Sequence, residues 1–218
     1  MNYTQLSNAI QAYTENTEAD FVAEIPVFVK QAEQRIYNSV QFPSLRKNVT
    51  GSTSANNKYL GCPNDFLAVY SIAVIDGTGA YEYLLNKDVN FIRQAYPIPT
   101  DTGLPRYYAL FGAQSNDINE LTFILGPTPD ATYGVELHYY YYPESIVTAS
   151  TTWLGDNFDS VLLYASLVEA YTYMKGEADM MQLYNQKFME ALALAKRLGD
   201  GMERQDAYRS GQFRQKVT

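Results

Sequence analysis

The chain contains one histidine, one cysteine and one tryptophan in 218 residues. With Cys62 alone, no intrachain disulfide can form, which is consistent with a reducing compartment. One Cys and one His cannot supply the clustered ligands of a zinc site. No apolar run approaches the roughly 20 residues of a membrane span, so no membrane partner is expected. The opening MNYTQLSNAIQAYTENTE lacks a basic segment followed by an apolar one, so a secretory signal is not expected either; the reading is of a soluble protein made in the cytoplasm. Charged residues are scarce, at 18% against about 25% in ordinary globular chains. Positive charge is the scarcer sign. The formal net charge of -8 argues against a general phosphate-backbone binder, which would show a basic face.

Tyrosine fills the deficit, with twenty in the chain. Its ring is apolar and its tip polar, so it serves both β cores and protein–protein interfaces. The order of elements is helices, strands, helices. Leu6, Ile10 and Tyr13 recur at helical spacing, with Asn2 or Thr4 available as cap. Thr17 caps a second start, with Asp20 in the capping-box position. Phe21, Val22, Ile25, Phe28, Val29, Ala32, Ile36 and Tyr37 form one apolar stripe. Pro26 inside it divides the segment into a short helix near 18–24 and a longer one near 26–40.

From Leu45 to Ile146, Gly, Pro and Asn punctuate short runs rich in Val, Ile and Tyr. Strands are expected at 46–50, 58–60, 67–75, 81–85, 107–111, 120–125 and 135–142, with a short helix at 86–95 and an exposed loop at 96–104. Asp76-Gly77 signals one hairpin, and GPTPDATYG reads as the connection of a second, between 121–125 and 135–142. Helical periodicity resumes near Trp153, with Asp156 or Asn157 as cap. Phe158, Val161, Leu162, Ala165, Val168 and Thr172 make one stripe and Tyr164, Leu167, Tyr171 and Met174 another, the mark of a central helix. Met181, Tyr184, Phe188, Ala191, Leu192, Ala195 and Leu198 make a single stripe, with polar residues opposite. Amphipathic helices at both ends of the chain must cover one another. The expected fold is therefore α+β: a discontinuous helical bundle (1–44 and 150–199), an inserted antiparallel β domain (45–149), a sandwich or partial barrel, and a C-terminal arm (200–218).

Candidate chemistry is thin. His138 shares a strand face with Glu136, and a Cys62–His138 pair is conceivable for nucleophilic catalysis, but LGCPND around Cys62 shows nothing that activates a thiol. Asp76-Gly77-Thr78-Gly79 lacks the third glycine of a dinucleotide loop. Phosphate loops with a lysine and glycine-flanked serine elbows are both missing. Glu15, Glu18, Asp20, Glu24, Glu177 and Asp179 read as charges placed near helix starts. No catalytic, cofactor or metal site is expected. Base stacking on the tyrosines would need interleaved cations, and only PRYYALFG, Arg106 to Gly112, suits it.

The end of the chain differs. Glycines at 199, 201 and 211 should break any helix, and Arg204, Arg209, Arg214 and Lys216 alternate with Tyr208 and Phe213. Too little aliphatic surface is present to fold alone. The pattern reads as an arm ordered by a partner, with a frayed terminus as the alternative.

Four segments in this order carry a family resemblance: FVKQAEQRIYNSVQFPSLR (Phe28 to Arg46), CPNDFLAVYSIAV (Cys62 to Val74), HYYYYPESI with TTWLGDNFDSVLLYASLVEAYTYMKG (to Gly176), and the last helix with its polar-aromatic arm. Together they span most of the chain. The sequence resembles the head-to-tail adaptor (connector) proteins of tailed bacteriophages, similar to the tubular tail protein A group of short-tailed phages. The resemblance implies a non-enzymatic virion component of the neck, assembled in the host cytoplasm as a homo-oligomeric, dodecameric ring beneath the portal protein. It further implies that the bundle makes the ring and that the β domain faces the next tail component, a nozzle or fibre. The arm, through Arg204, Tyr208, Arg209, Phe213 and Arg214, would dock on the portal. DNA would pass the lumen without sequence-specific binding, and an anionic wall would repel its phosphates. The alternatives are another tail-completion or baseplate protein, or a monomeric module binding protein or nucleic acid.

Overall fold

The computed structural model describes residues 1–98, 100–112 and 121–207. It is an α+β fold that divides into two compact units: Met1–Leu45 with the chain from Tyr142 onward, and Arg46–Tyr141.

The first unit is helical. Helix α1 (Tyr3–Thr14) starts from a full capping box, in which Asn2 accepts from the Gln5 N–H and Gln5 reaches back to Asn2. Helix α2 (Ala19–Ser39) is one element with Pro26 inside it, not two. The proline removes one N–H, but Phe21, Ile25, Phe28, Val29, Ala32 and Ile36 on either side of it are buried together. The burial of that shared stripe outweighs the lost hydrogen bond. Its N-cap is Glu18, without a side-chain cap, where Thr17 was expected. A single 3₁₀ turn (Pro43–Leu45) leads out of the unit.

On return, two short helices, α4 (Ile146–Ala149) and α5 (Trp153–Asn157), precede α6 (Asp159–Met174) and α7 (Ala178–Ala207). Thr152 caps α5, rather than Asp156 or Asn157 capping the segment. Helix α6 packs against α1, α2 and α7 and buries Val161, Leu162, Leu163, Ala165, Leu167, Val168 and Ala170. It is the central helix that its two stripes demand.

Helix α7 runs through Gly199 and Gly201 to Ala207, against the expectation that these glycines end it. A Cβ on Gly199 would lie 2.9 Å from the Gln41 carbonyl oxygen and 3.3 Å from Val40 Cγ1. The glycine is thus where α7 crosses the backbone leaving α2, and close packing supplies what its helix propensity lacks. Leu198, expected in the buried stripe, is 45% exposed.

The second unit holds β1 (Arg46–Ser52), β2 (Tyr59–Gly61), β3 (Ala68–Ile75), β4 (Tyr81–Tyr83), β5 (Leu85–Asn86), helix α3 (Val89–Ala95), β6 (Tyr107–Phe111), β7 (Thr122–Gly126) and β8 (Gly134–Tyr140). They form two four-stranded sheets, ordered β1-β8-β3-β4 and β2-β7-β6-β5. Ile72, Val74, Val135, Leu137 and Tyr139 of the first sheet share one core with Tyr108, Phe123 and Leu125 of the second. The unit is therefore a sandwich, not a closed barrel.

Two expectations are corrected here. Strands β7 and β8 are not a hairpin: they belong to different sheets, and β8 lies between β1 and β3. The pairing of β5 with β6 is parallel, so only the first sheet is wholly antiparallel. The Asp76 turn does join β3 to β4. The Asp76 carboxylate accepts from the Thr78 N–H, the Thr78 hydroxyl and the Ala80 N–H, and Gly79 takes the positive φ of 87° that the turn requires. Strand β7 is buried along its whole length. Its Phe123 and Leu125 face the sandwich core, while Ile124 faces Ile92 of α3 and Ala109.

Candidate interaction surface

The outer face of the β1-β8-β3-β4 sheet concentrates the unit's exposed rings. Strand β8 alternates strictly, with Val135, Leu137 and Tyr139 inward and Glu136, His138 and Tyr140 outward. A bulge between Val69 and Ser71 puts one extra residue, Tyr70, into β3 opposite β8. Tyr70, 53% exposed, thereby stands beside Tyr140, with ring centroids 6.0 Å apart. The Arg46 guanidinium lies 4.6 Å from the Tyr70 centroid and 5.6 Å from that of Tyr140. At the far edge, Tyr81 and Tyr83 of β4 stack with centroids 6.5 Å apart, and Tyr83 is 64% exposed. Arginine and tyrosine are the residue types that dominate binding energy at interfaces.

Between these rings runs a polar row. His138 Nδ1 is 3.2 Å from Ser71 Oγ, its Nε2 is 4.0 Å from Glu136 Oε1, and Asn48 donates to that same oxygen at 2.8 Å. The order Ser, His, Glu superficially matches a nucleophile, a base and its orienting acid. The row lies flat across three paired strands, whose backbone N–H groups lie in the plane of the sheet and do not point at a group above it, unlike the converging donors of an acyl-transfer site. Cys62 is on the other side of the sheet. It lines a cavity of about 320 Å³ with the inward-facing Val135 and Leu137, so the structure does not bring the Cys62–His138 pair together.

Next to the face, Lys47 Nζ and Asp65 Oδ2 pair at 2.7 Å, and the buried Tyr139 hydroxyl donates to Asp65 Oδ1 at 2.7 Å. The hydrogen bond from Lys47 holds the Asp65 carboxyl below the ordinary range, and burial, with Asp65 beside it, pushes the Tyr139 hydroxyl up. In PRYYALFG, Tyr108 belongs to the sandwich core, which removes its ring from base stacking, and Tyr107 packs edge-on against Phe91.

The helical unit contains two features that the sequence reading missed. Glu33 of α2 is only 3% exposed and accepts the Ile146 N–H at 2.9 Å, so it serves the start of α4. Burial raises its pKa above the ordinary carboxyl value. Its signal was its place on the stripe, four residues from both Val29 and Tyr37. Tyr184 sits among Tyr13, Tyr164 and Tyr171, and burial together with the Tyr171 hydroxyl pushes its pKa up to about 12. Among the acidic residues, Glu18 and Asp20 do start α2 and Asp179 lies in the first turn of α7. Glu15 does not start a helix: it ends α1 in a left-handed conformation.

Of the expected arm residues, Arg204 falls within the backbone of α7. Its side chain, and Tyr208, Arg209, Phe213 and Arg214, lie outside the described residues. Among the described residues, no group of three or more His, Cys, Asp or Glu is placed to hold a metal ion. No described helix is long and apolar enough to cross a membrane.

A family model described as SU10 adaptor protein matches residues 1–215. The chain belongs to that family. The match spans both units and supports a structural role for this adaptor at the head–tail junction of a bacteriophage. No curated protein matches the adaptor's sequence.

Proposed function

We propose that this adaptor joins the portal to the tail as a non-enzymatic homo-oligomeric ring of twelve copies in the virion neck, assembled in the host cytoplasm. The helical unit makes the ring, the β unit faces a nozzle or fibre component, and the C-terminal arm docks on the portal. The observation that carries this reading is the family match along the whole chain. Two surfaces support it: the tyrosine–arginine face of the β unit, and the outer side of α7. There Leu183 and Leu194, about three turns apart and so on one side of the helix, are 44% and 62% exposed.

In the arm, Tyr208 and Phe213 act as anchors, and Arg204, Arg209 and Arg214 pair with portal carboxylates. A net charge of -8 suits a lumen through which DNA moves without adhering. The test is reconstitution with DNA-filled, portal-bearing heads. The intact chain should attach in a complete ring, and a chain truncated before Tyr208 should melt alike yet fail to attach. Equal attachment of the truncated chain overturns the role given to the arm.

A further inference from the structure

Helix α3 covers the outer face of the second sheet through Ile92, which meets Ala109 and Ile124. Beside it lies a cavity of about 270 Å³ whose lining includes Lys58, Tyr59, Ile92, Arg93, Tyr96 and Ile124. The approach of α3 is fixed from below. A Cβ on Gly126 would come within 3.0 Å of both Ile92 Cγ2 and Tyr96 Cδ2, so only glycine lets these two walls stand where they do. The floor is apolar, made by Ile92 and Ile124, and two tyrosine rings flank it.

Among the described residues, the two charged ones lining the cavity are both cations. The Lys58 ammonium is 5.4 Å from the Tyr59 ring centroid, which orients it without neutralising it. Among the described residues, neither Lys58 nor Arg93 makes a salt bridge. Lys87 and Arg106 likewise make none among the described residues, but neither of them lines this cavity. Lys47 in the same unit is paired.

We propose that this cavity receives a carboxylate side chain from an acidic segment of a protein partner. The ionised head lies between Lys58 and Arg93, and the adjoining apolar side chain lies on Ile92, Ile124 and Tyr96. Guanidinium and carboxylate match as a planar two-bond pair, and the tyrosines exclude water from it. A nucleic-acid strand fits less well, since it needs a track of cations along its backbone, and the cavity supplies two in an acidic unit. The proposal rests on the β unit alone and stands apart from the ring and the portal contact.

The test uses the full chain, with backbone amide NMR shifts followed while N-acetyl-Phe-Glu-amide is added. Saturable shifts should centre on Tyr59, Ile92, Arg93 and Tyr96, with a dissociation constant on the order of 1 mM for so small a probe. N-acetyl-Phe-Gln-amide should bind about 10-fold more weakly, since it cannot form a charge-assisted pair. Arg93→Gln and Lys58→Gln should each weaken the Glu probe several-fold and leave the melting temperature nearly unchanged, because neither cation has an ionic partner among the described residues. Equal binding of the two probes, or no saturable shift at those residues, overturns the proposal. So does tighter binding of a short oligothymidylate at the same residues.

Discussion

Glu33 and Asp65 are both carboxylates that fix structure, yet they respond to pH with opposite sign. Burial raises the pKa of Glu33, so its ionised form disfavours the folded state. The stability it contributes is complete below its unfolded pKa and falls as pH rises through the higher folded value. Glu33→Gln keeps an acceptor for the Ile146 N–H without the charge. It should therefore be at least as stable as the parent at pH 7 and lose that advantage on acidification. Glu33→Ala leaves the N–H unsatisfied and should cost about 1–3 kcal/mol. For Asp65 the Lys47 hydrogen bond lowers the pKa, so its contribution is present above the unfolded pKa and lost as pH falls through the folded one. Asp65→Asn should lower the urea midpoint at pH 7 and converge with the parent in acid. Denaturation curves from pH 3 to 8 check both signs. Such residues are hard to read in a sequence, because the meaning of a carboxylate lies in a distant partner: Ile146 for Glu33, Lys47 and Tyr139 for Asp65. Asp76 was legible because all its partners lie within four residues of it.

At the scale of elements, periodicity identified what local physics controls. The stripe of α2, the double stripe of α6 and the alternation of β8 each state which face is buried. Three features decided by long-range packing were misread: the continuity of α2 through Pro26, the passage of α7 through Gly199, and the separation of β7 from β8. In the last, GPTPDATYG satisfies the local chemistry of a hairpin, but β8 gains two partners by inserting between β1 and β3. Gly199→Ala distinguishes packing from propensity. On an exposed helix, alanine would gain about 1 kcal/mol over glycine. Here its Cβ meets the Gln41 carbonyl oxygen at 2.9 Å, so the substitution should lower the urea midpoint instead. On α6, Val168→Asp puts an unpaired charge at a position only 8% exposed. It should cost several kcal/mol, or about 3 and above, and a variant melting like the parent would contradict the central place of that helix.

For the whole molecule, the fold class and the family were legible because the order of segments survives where individual motifs are weak. The candidate interaction surfaces were legible only as an excess of tyrosine. The alternation of β8 does not reveal that a bulge turns Tyr70 outward, and the polar residues of α7 hid four exposed apolar ones between them. Two of them, on one side of the helix, allow assembly to be separated from folding. Leu183 and Leu194 are exposed at 44% and 62%, so placing charge there removes little from the core of the helical unit. Leu183→Glu with Leu194→Glu should change the melting temperature of the isolated chain by no more than a surface substitution does, within about 0.5 kcal/mol of stability per site. If α7 forms the seam between copies, four buried carboxylates across each pair of seams would face apolar surface without partners, a cost that no arm contact offsets. The double variant should then remain a monomer by light scattering at concentrations where the parent assembles on portal-bearing heads, and should leave those heads without rings. A variant that folds and still builds complete rings would move the seam away from α7 and leave the tyrosine–arginine face of the β unit as the surface to test next.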